Sequence, residues 1–276
     1  MRLLLNVERV EINESTTEGE EETPFYVACL CGHTEAVKQL LSDKKIEVNR
    51  VGNEYGSTPF YIACAKGNIG VVRLLLNDKR VDVNKSNYGN WTPLCIACYY
   101  GQFQVVELLL NNERVKVNQA NNNGATPLFI ACQEGHLETV EVLLKNERVE
   151  VNTPNDDNET PFFVACFQGN IEIVKLLLND KRVDINQANN VSWTPLIIAC
   201  YWGKIKVVEY ILTSGREINL TIRDSDGTAI DNARKRDHKN IVDLLESFKR
   251  KPNETRLKLR KKLLIGIFFF FFFYFF

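Results

Sequence analysis

Cys95-Ile96-Ala97-Cys98 is a CxxC pair, a spacing that can carry redox or metal chemistry. Such a pair exchanges disulfides in a thioredoxin-like βαβ setting, or binds zinc when a second pair follows at metal-site spacing. Neither setting surrounds it. Cys29, Cys64, Cys98, Cys132, Cys166 and Cys200 each follow Ala in the same short phrase, and Cys95 stands where Tyr61 stands one phrase earlier. A small apolar thiol suits a tightly packed interior slot. The thiols are therefore expected buried and reduced, with a cytoplasmic location as the default. His33 and His136 follow Gly at the starts of helices and His238 lies near the C-terminal end; none has a recurring acidic or Cys partner. There is no Gly-rich phosphate loop, no HExxH and no nucleophile elbow. No catalytic residue, cofactor or metal ligand is expected, and the chain reads as a non-enzyme.

The elements that position these residues recur. Thr-Pro occurs at 23, 58, 92, 126, 160 and 194, and Thr228-Ala229 is a seventh variant. A fixed period of this kind is the signature of a repeat array. In the unit opened by Thr58, the hydroxyl suits an N-cap and Pro59 suits the first helical position. Phe60, Ile62, Ala63 and Cys64 make a short apolar helix that Gly67 ends. Val71, Val72, Leu74, Leu75 and Leu76 form the stripe of a second helix that stops near Asn77-Asp78. Val81-Asp82-Val83-Asn84 alternates like a short strand, and a turn leads to the next Thr-Pro. Helices this short are marginal alone, so their apolar faces must be covered by neighbouring units.

The run Gly56-Ser57-Thr58-Pro59-Phe60-Tyr61-Ile62-Ala63-Cys64-Ala65-Lys66-Gly67-Asn68 resembles the start of an ankyrin repeat, as do Gly135-His136 and the paired leucines of each second helix. The resemblance covers about residues 1–248. It implies an all-α repeat solenoid of stacked helix-turn-helix units with β-hairpin-like loops. The division it suggests is a partial repeat at 1–22, six repeats over 23–227 and a capping repeat at 228–248. A basic linker at 249–262 and an apolar Phe-rich tail at 263–276 follow. Leu3 to Asn13 matches the end of a repeat, which reads as a unit lacking its first helix and hints at a truncated gene model or fragment. The family's usual His after Thr-Pro-Leu is replaced by Tyr26, Tyr61, Cys95, Phe129, Phe163 and Ile197. More reliance on packing is expected there.

The resemblance also implies where a partner binds: the hairpin residues before Thr-Pro and the residues before the Gly that ends the first helix. In this chain those slots hold Tyr55 and Lys66; Tyr88, Trp91, Tyr99 and Tyr100; Gln133 and Glu134; Asp156, Asp157, Glu159 and Phe167; and Trp193, Tyr201 and Trp202, together with Ser57, Ala65 and Ala125. All three tryptophans fall among them, and Trp and Tyr are enriched at binding hot spots. In sequence order the slots give two aromatic groups around a polar, acidic middle. The expected function is a monomeric scaffold or adaptor that binds another protein; covering of the seams between repeats is the competing role for each aromatic.

A net charge of −1 gives no general attraction to nucleic acid, and none is expected as a partner. Lys249 to Lys262 is different, with eight Lys or Arg against Glu254. It precedes an apolar run, Leu263 to Phe276, that is shorter than a usual membrane span. That tail has three readings: a membrane anchor, a hydrophobic docking segment, or low-complexity sequence without function. The basic clusters also suit nuclear import. A membrane-tethered adaptor and the substrate-recognition subunit of an enzyme complex are the alternative functions.

Overall fold

The computed structural model describes residues 12–15 and 22–274, with side chains to residue 264. The partial repeat expected at 1–22 therefore lies almost entirely outside the described residues, as do the side chains of 265–276. The chain divides into two units, Met1–Glu150 and Val151–Phe276.

In the first unit, four helix pairs follow one another: α1 (Pro24–Leu30) and α2 (Thr34–Leu41), α3 (Pro59–Lys66) and α4 (Ile69–Asn77), α5 (Pro93–Tyr99) and α6 (Phe103–Leu110), α7 (Pro127–Glu134) and α8 (Leu137–Leu144). The second unit holds α9 (Pro161–Gln168) and α10 (Ile171–Asn179), α11 (Pro195–Tyr201) and α12 (Ile205–Thr213), α13 (Ala229–Lys235) and α14 (Lys239–Arg250), and a last helix, α15 (Pro252–Tyr274). Within each unit, first helices contact first helices and second helices contact second helices. This is a repeat solenoid.

Each first helix starts the same way for the same reason. The Thr hydroxyl accepts the backbone N–H three residues on, at 3.1 Å for Thr58 and Tyr61, and Pro fills the next position, where no donor is needed. Loss of one such cap costs about 1 kcal/mol. Thr228, which lacks the Pro, instead forms a reciprocal capping box with Asp231. The Ala-Cys pairs are buried in the first helices, where small side chains allow close approach. Leu75, Leu109, Leu143 and Leu177 bury the inner stripe of the second helices.

The segment after the second helix differs from the strand expected over Val81 to Asn84. It is a turn, and the described residues contain only an isolated bridge between Asp224 and Gly227. The valines point inward as the alternation suggests, but side chains take over the bridging role that a strand ladder would fill. Asn49 donates from Nδ2 to the Arg80 carbonyl (2.7 Å) and accepts from the Asp82 N–H (2.8 Å). Asn13, Asn84, Asn118, Asn152 and Asn186 make the same two-way contact with the following repeat. Arg80, Arg114, Arg148 and Arg216 reach the other way and donate to carbonyls at the end of the preceding second helix. Those carbonyls have no partner inside the helix.

Residues 249–262, expected as a linker, are helical on both sides of a break at Lys251. Lys249 and Arg250 complete α14, and α15 lies against α12 and α14 with Thr255 and Leu259 buried. Arg256 donates to the carbonyls of Leu212 (3.1 Å) and Arg216 (3.0 Å), and Arg260 donates twice to Thr213. Lys262 pairs with Glu209, whose side chain is only 2% exposed. The basic composition thus does at the end of α12 what the repeat arginines do elsewhere. No helix among the described residues is long and apolar enough to cross a membrane.

Candidate partner-binding surfaces

The loop before each first helix is built by one asparagine. Asn87 Oδ1 accepts from the N–H groups of Gly89 (3.0 Å) and Trp91 (2.9 Å), and the Asn87 N–H donates to the Trp91 carbonyl. Asn53, Asn121, Asn155 and Asn189 close their loops through the same pair of side-chain contacts. Such local bonds give the backbone a stable alternative to helix or strand. They also fix where the loop side chains emerge. The ends of the first helices are fixed by the following repeat, where a side chain at the start of the second helix reaches back: Asn68 to Cys29 and Leu30, Gln102 to Ala65, Lys204 to Gln168.

In the first unit these devices gather Trp91, Tyr99 and Tyr100. The rings of Trp91 and Tyr99 are 5.5 Å apart and those of Tyr99 and Tyr100 5.1 Å apart, both edge to face, an arrangement favoured by their quadrupoles. Trp91 is half-buried, and Tyr99 and Tyr100 are exposed. His136 holds the frame: its ring meets the Tyr99 carbonyl at 2.8 Å, and a carbonyl only accepts, so Nε2 carries the proton. The same ring lies against Gly101, where a Cβ would come within 2.6 Å of it. Tyr55 and Tyr88 form a second exposed pair; the Tyr88 N–H donates to the Tyr55 carbonyl (3.0 Å) and its ring covers Gly56. Lys66 is exposed at the end of α3, and Gln133 and Glu134 are exposed at the end of α7, joined by a hydrogen bond of 3.1 Å.

In the second unit Trp193, Tyr201, Trp202 and Phe167 form a continuous cluster, with ring centres 4.9, 5.4 and 5.9 Å apart in that order. His238 meets the Tyr201 carbonyl at 3.2 Å and lies against Gly203, repeating the arrangement of His136. Here the guanidinium of Arg236 sits over two rings, 4.2 Å from the centre of Tyr201 and 5.7 Å from that of Trp202. Arg236 lies outside the residues expected from sequence, although its place before the Asp237-His238 pair could have flagged it. Asp156 and Asp157 are exposed on their loop.

Several slot residues do not face outward. Ser57, Ala65 and Ala125 are buried, because small side chains there line the seam between repeats. Glu159 is half-buried, and burial raises its carboxyl above the ordinary value although Asn155 donates to it. Trp193 and Tyr201 are also half-buried. The replaced-His slot is less dry than expected in the first unit: Asn53 donates to the Tyr26 hydroxyl (3.0 Å), Asn87 to that of Tyr61 (3.3 Å), and the Cys95 thiol to the Gln119 carbonyl (3.4 Å). Burial pushes the Tyr26 hydroxyl up to about 12.

The CxxC pair sits where the thiolate is disfavoured. Cys95 and Cys98 are both fully buried, and burial pushes both thiols above their ordinary value, which opposes the nucleophilic form. Cys31 is the exposed cysteine. Among the described residues no group of His, Cys, Asp or Glu could hold a metal ion.

A family model described as ankyrin repeats (3 copies) matches residues 1–87, 79–155 and 147–224. The crystal structure of the ankyrin repeat domain of Bcl-3, a member of the IκB protein family, is similar in fold: TM-score 0.72 at 21% identity, covering 82% of this chain and 98% of that one. No curated protein is similar enough in sequence to count as a match.

Proposed function

Because this chain belongs to the ankyrin-repeat family, whose repeats mediate protein–protein interaction, we propose that it is a non-catalytic adaptor that grips another protein through its aromatic loop and helix ends. The observation that carries this reading is the pair of partly exposed aromatic clusters, Trp91–Tyr99–Tyr100 and Phe167–Trp193–Tyr201–Trp202. In each, a bond from the neighbouring repeat holds the backbone that carries the rings, and the rings pack against one another, which lowers the conformational entropy lost when a partner covers them. Large rigid aromatics with a polar edge are the side chains that dominate interface energetics. The acidic loop at Asp156 and Asp157 favours a partner with basic residues beside its apolar anchors. The buried thiols suit a reducing compartment.

The test is a pull-down with the full chain and with a Trp91→Ala, Trp202→Ala double variant, both checked for folding by circular dichroism. A protein held by the natural chain and released by the variant is the expected result. Equal retention by both places binding elsewhere and ends this reading.

A further inference from the structure

The two aromatic clusters differ at one slot. In the second unit, Arg236 at the end of α13 lays its guanidinium over Tyr201 and Trp202. The same slot beside Tyr99 and Tyr100 is held by Glu134, the last residue of α7. The register is fixed by contacts on both sides: Thr126 and Thr228 cap the two first helices, and His136 and His238 meet the carbonyls of Tyr99 and Tyr201. One frame therefore carries a built-in cation in one unit and an exposed carboxylate in the other.

Resting on the reading of these clusters as partner sites, we propose that Tyr99, Tyr100 and Glu134, with Trp91 behind them, form an open receptor for an arginine side chain of the partner. Arg236 shows which chemistry this frame accepts. A guanidinium is planar and weakly hydrated, so it lies on a ring face and is drawn to its π electrons. Among the described residues no cation lies over Tyr99 or Tyr100, the place that Arg236 fills in the second unit, while Glu134 adds the opposite charge that a carboxylate–guanidinium pair needs. Gln133 donates to Glu134 and steadies its carboxylate. A lysine ammonium is more strongly hydrated and lacks the flat face, so arginine is the better fit.

The chain has three tryptophans, hence three indole N–H signals that single substitutions assign. The full chain is titrated with N-acetyl-arginine amide, and separately with N-acetyl-citrulline amide, which keeps the shape and lacks the charge. The arginine probe is expected to shift the Trp91 signal and the citrulline probe to leave it. Glu134→Gln should weaken the response about three- to fivefold at low salt. Trp193 and Trp202 should respond only after Arg236→Ala opens their cluster. Circular dichroism verifies each variant's fold. A still Trp91 signal, an equal response to citrulline, or an unchanged affinity in Glu134→Gln each overturns the proposal. If the pull-down variant releases its partner while arginine leaves Trp91 unmoved, the receptor is wrong and the adaptor reading stands. If arginine binds at Trp91 but the double variant keeps the partner, the adaptor reading falls instead.

Discussion

The repeats opened by Thr92 and Thr194 present nearly the same phrase, Trp-Thr-Pro-Leu followed by Ile-Ala-Cys-Tyr and a second aromatic before Gly, yet their surfaces are finished differently. Both rest on the same hardware: a capping Thr, an Asn-built loop, and a His from the next repeat that bonds the helix-end carbonyl and lies on the Gly. In the first unit the next repeat adds Glu134 beside the tyrosines. In the second it adds Arg236, which lies on the rings, and Phe167 from the preceding repeat extends the cluster. The lesson is a division of labour. The frame is set by residues that repeat, and the chemistry it offers is set by one residue that does not.

The strongest way to break this comparison is to attack the shared hardware. Gly101 and Gly203 both have φ +67°, and a Cβ at either position would come within 2.6 Å of the facing His ring. Gly101→Val and Gly203→Val each combine a left-handed backbone with that clash, so each should cost about 2–3 kcal/mol. Urea unfolding of the full chain, followed by circular dichroism, measures both. Similar losses support one device used twice. A tolerated valine at either site shows that the two frames are not equivalent.

Legibility from sequence follows the same division. The period, the Thr-Pro caps, the apolar stripes and the buried thiols are local patterns, and each specifies its own backbone or burial. Those patterns brought Trp91, Tyr99 and Tyr100 together, and likewise Trp193, Tyr201 and Trp202. Ser57, Ala65 and Ala125 are buried and Glu159 half-buried, because slot position says where a Cα sits and not how deeply its side chain is covered. The Asn and Arg ladders repeat with the same period, but their partners lie about thirty to forty positions away, so their role appears only when the repeats are in contact. Arg256 and Arg260 looked like linker charge because the carbonyls they satisfy, at Leu212 and Thr213, are far away in sequence.

That C-terminal helix offers a second, smaller contrast. Glu107 and Glu209 hold the same position in their second helices, α6 and α12; Glu107 is exposed and Glu209 is covered by α15. Burial pushes the Glu209 carboxyl upward, but hydrogen bonds and charge from Lys262 and Lys206 outweigh it and hold the group below its ordinary value of 4.5. The contribution to docking is then complete above that value and is lost as pH falls through the lower, folded one. Glu209→Gln should remove it at every pH, at a cost of about 1 kcal/mol. Hydrogen exchange of the α15 amides, corrected for intrinsic rates, should show faster opening at pH 3.5 than at pH 6 in the natural chain. Asp180 and Asp231 in the same unit are also held low, so the test is the difference between natural chain and variant. An identical pH response in both means that Glu209 does not hold the helix, whereas the matching Glu107→Gln change should leave stability nearly untouched.

The smallest expected effect sharpens the comparison most. Exchanging the one non-repeating residue should convert one surface into the other while the frame stays intact. Arg236→Ala removes a cation lying on partly exposed rings and should cost about 0.5–1 kcal/mol, read from the urea midpoint of the full chain. Glu134→Arg places the same cation beside Tyr99 and Tyr100, where the His136 contact supplies the matching register. That variant should gain stability by a similar amount, and its Trp91 indole signal should move without any added ligand. It should also lose most of its response to N-acetyl-arginine amide, because the place is then taken. If Glu134→Arg still binds the probe like the natural chain, the slot does not control access to the rings. The likeness between the two clusters would then extend to their framework but not to their chemistry.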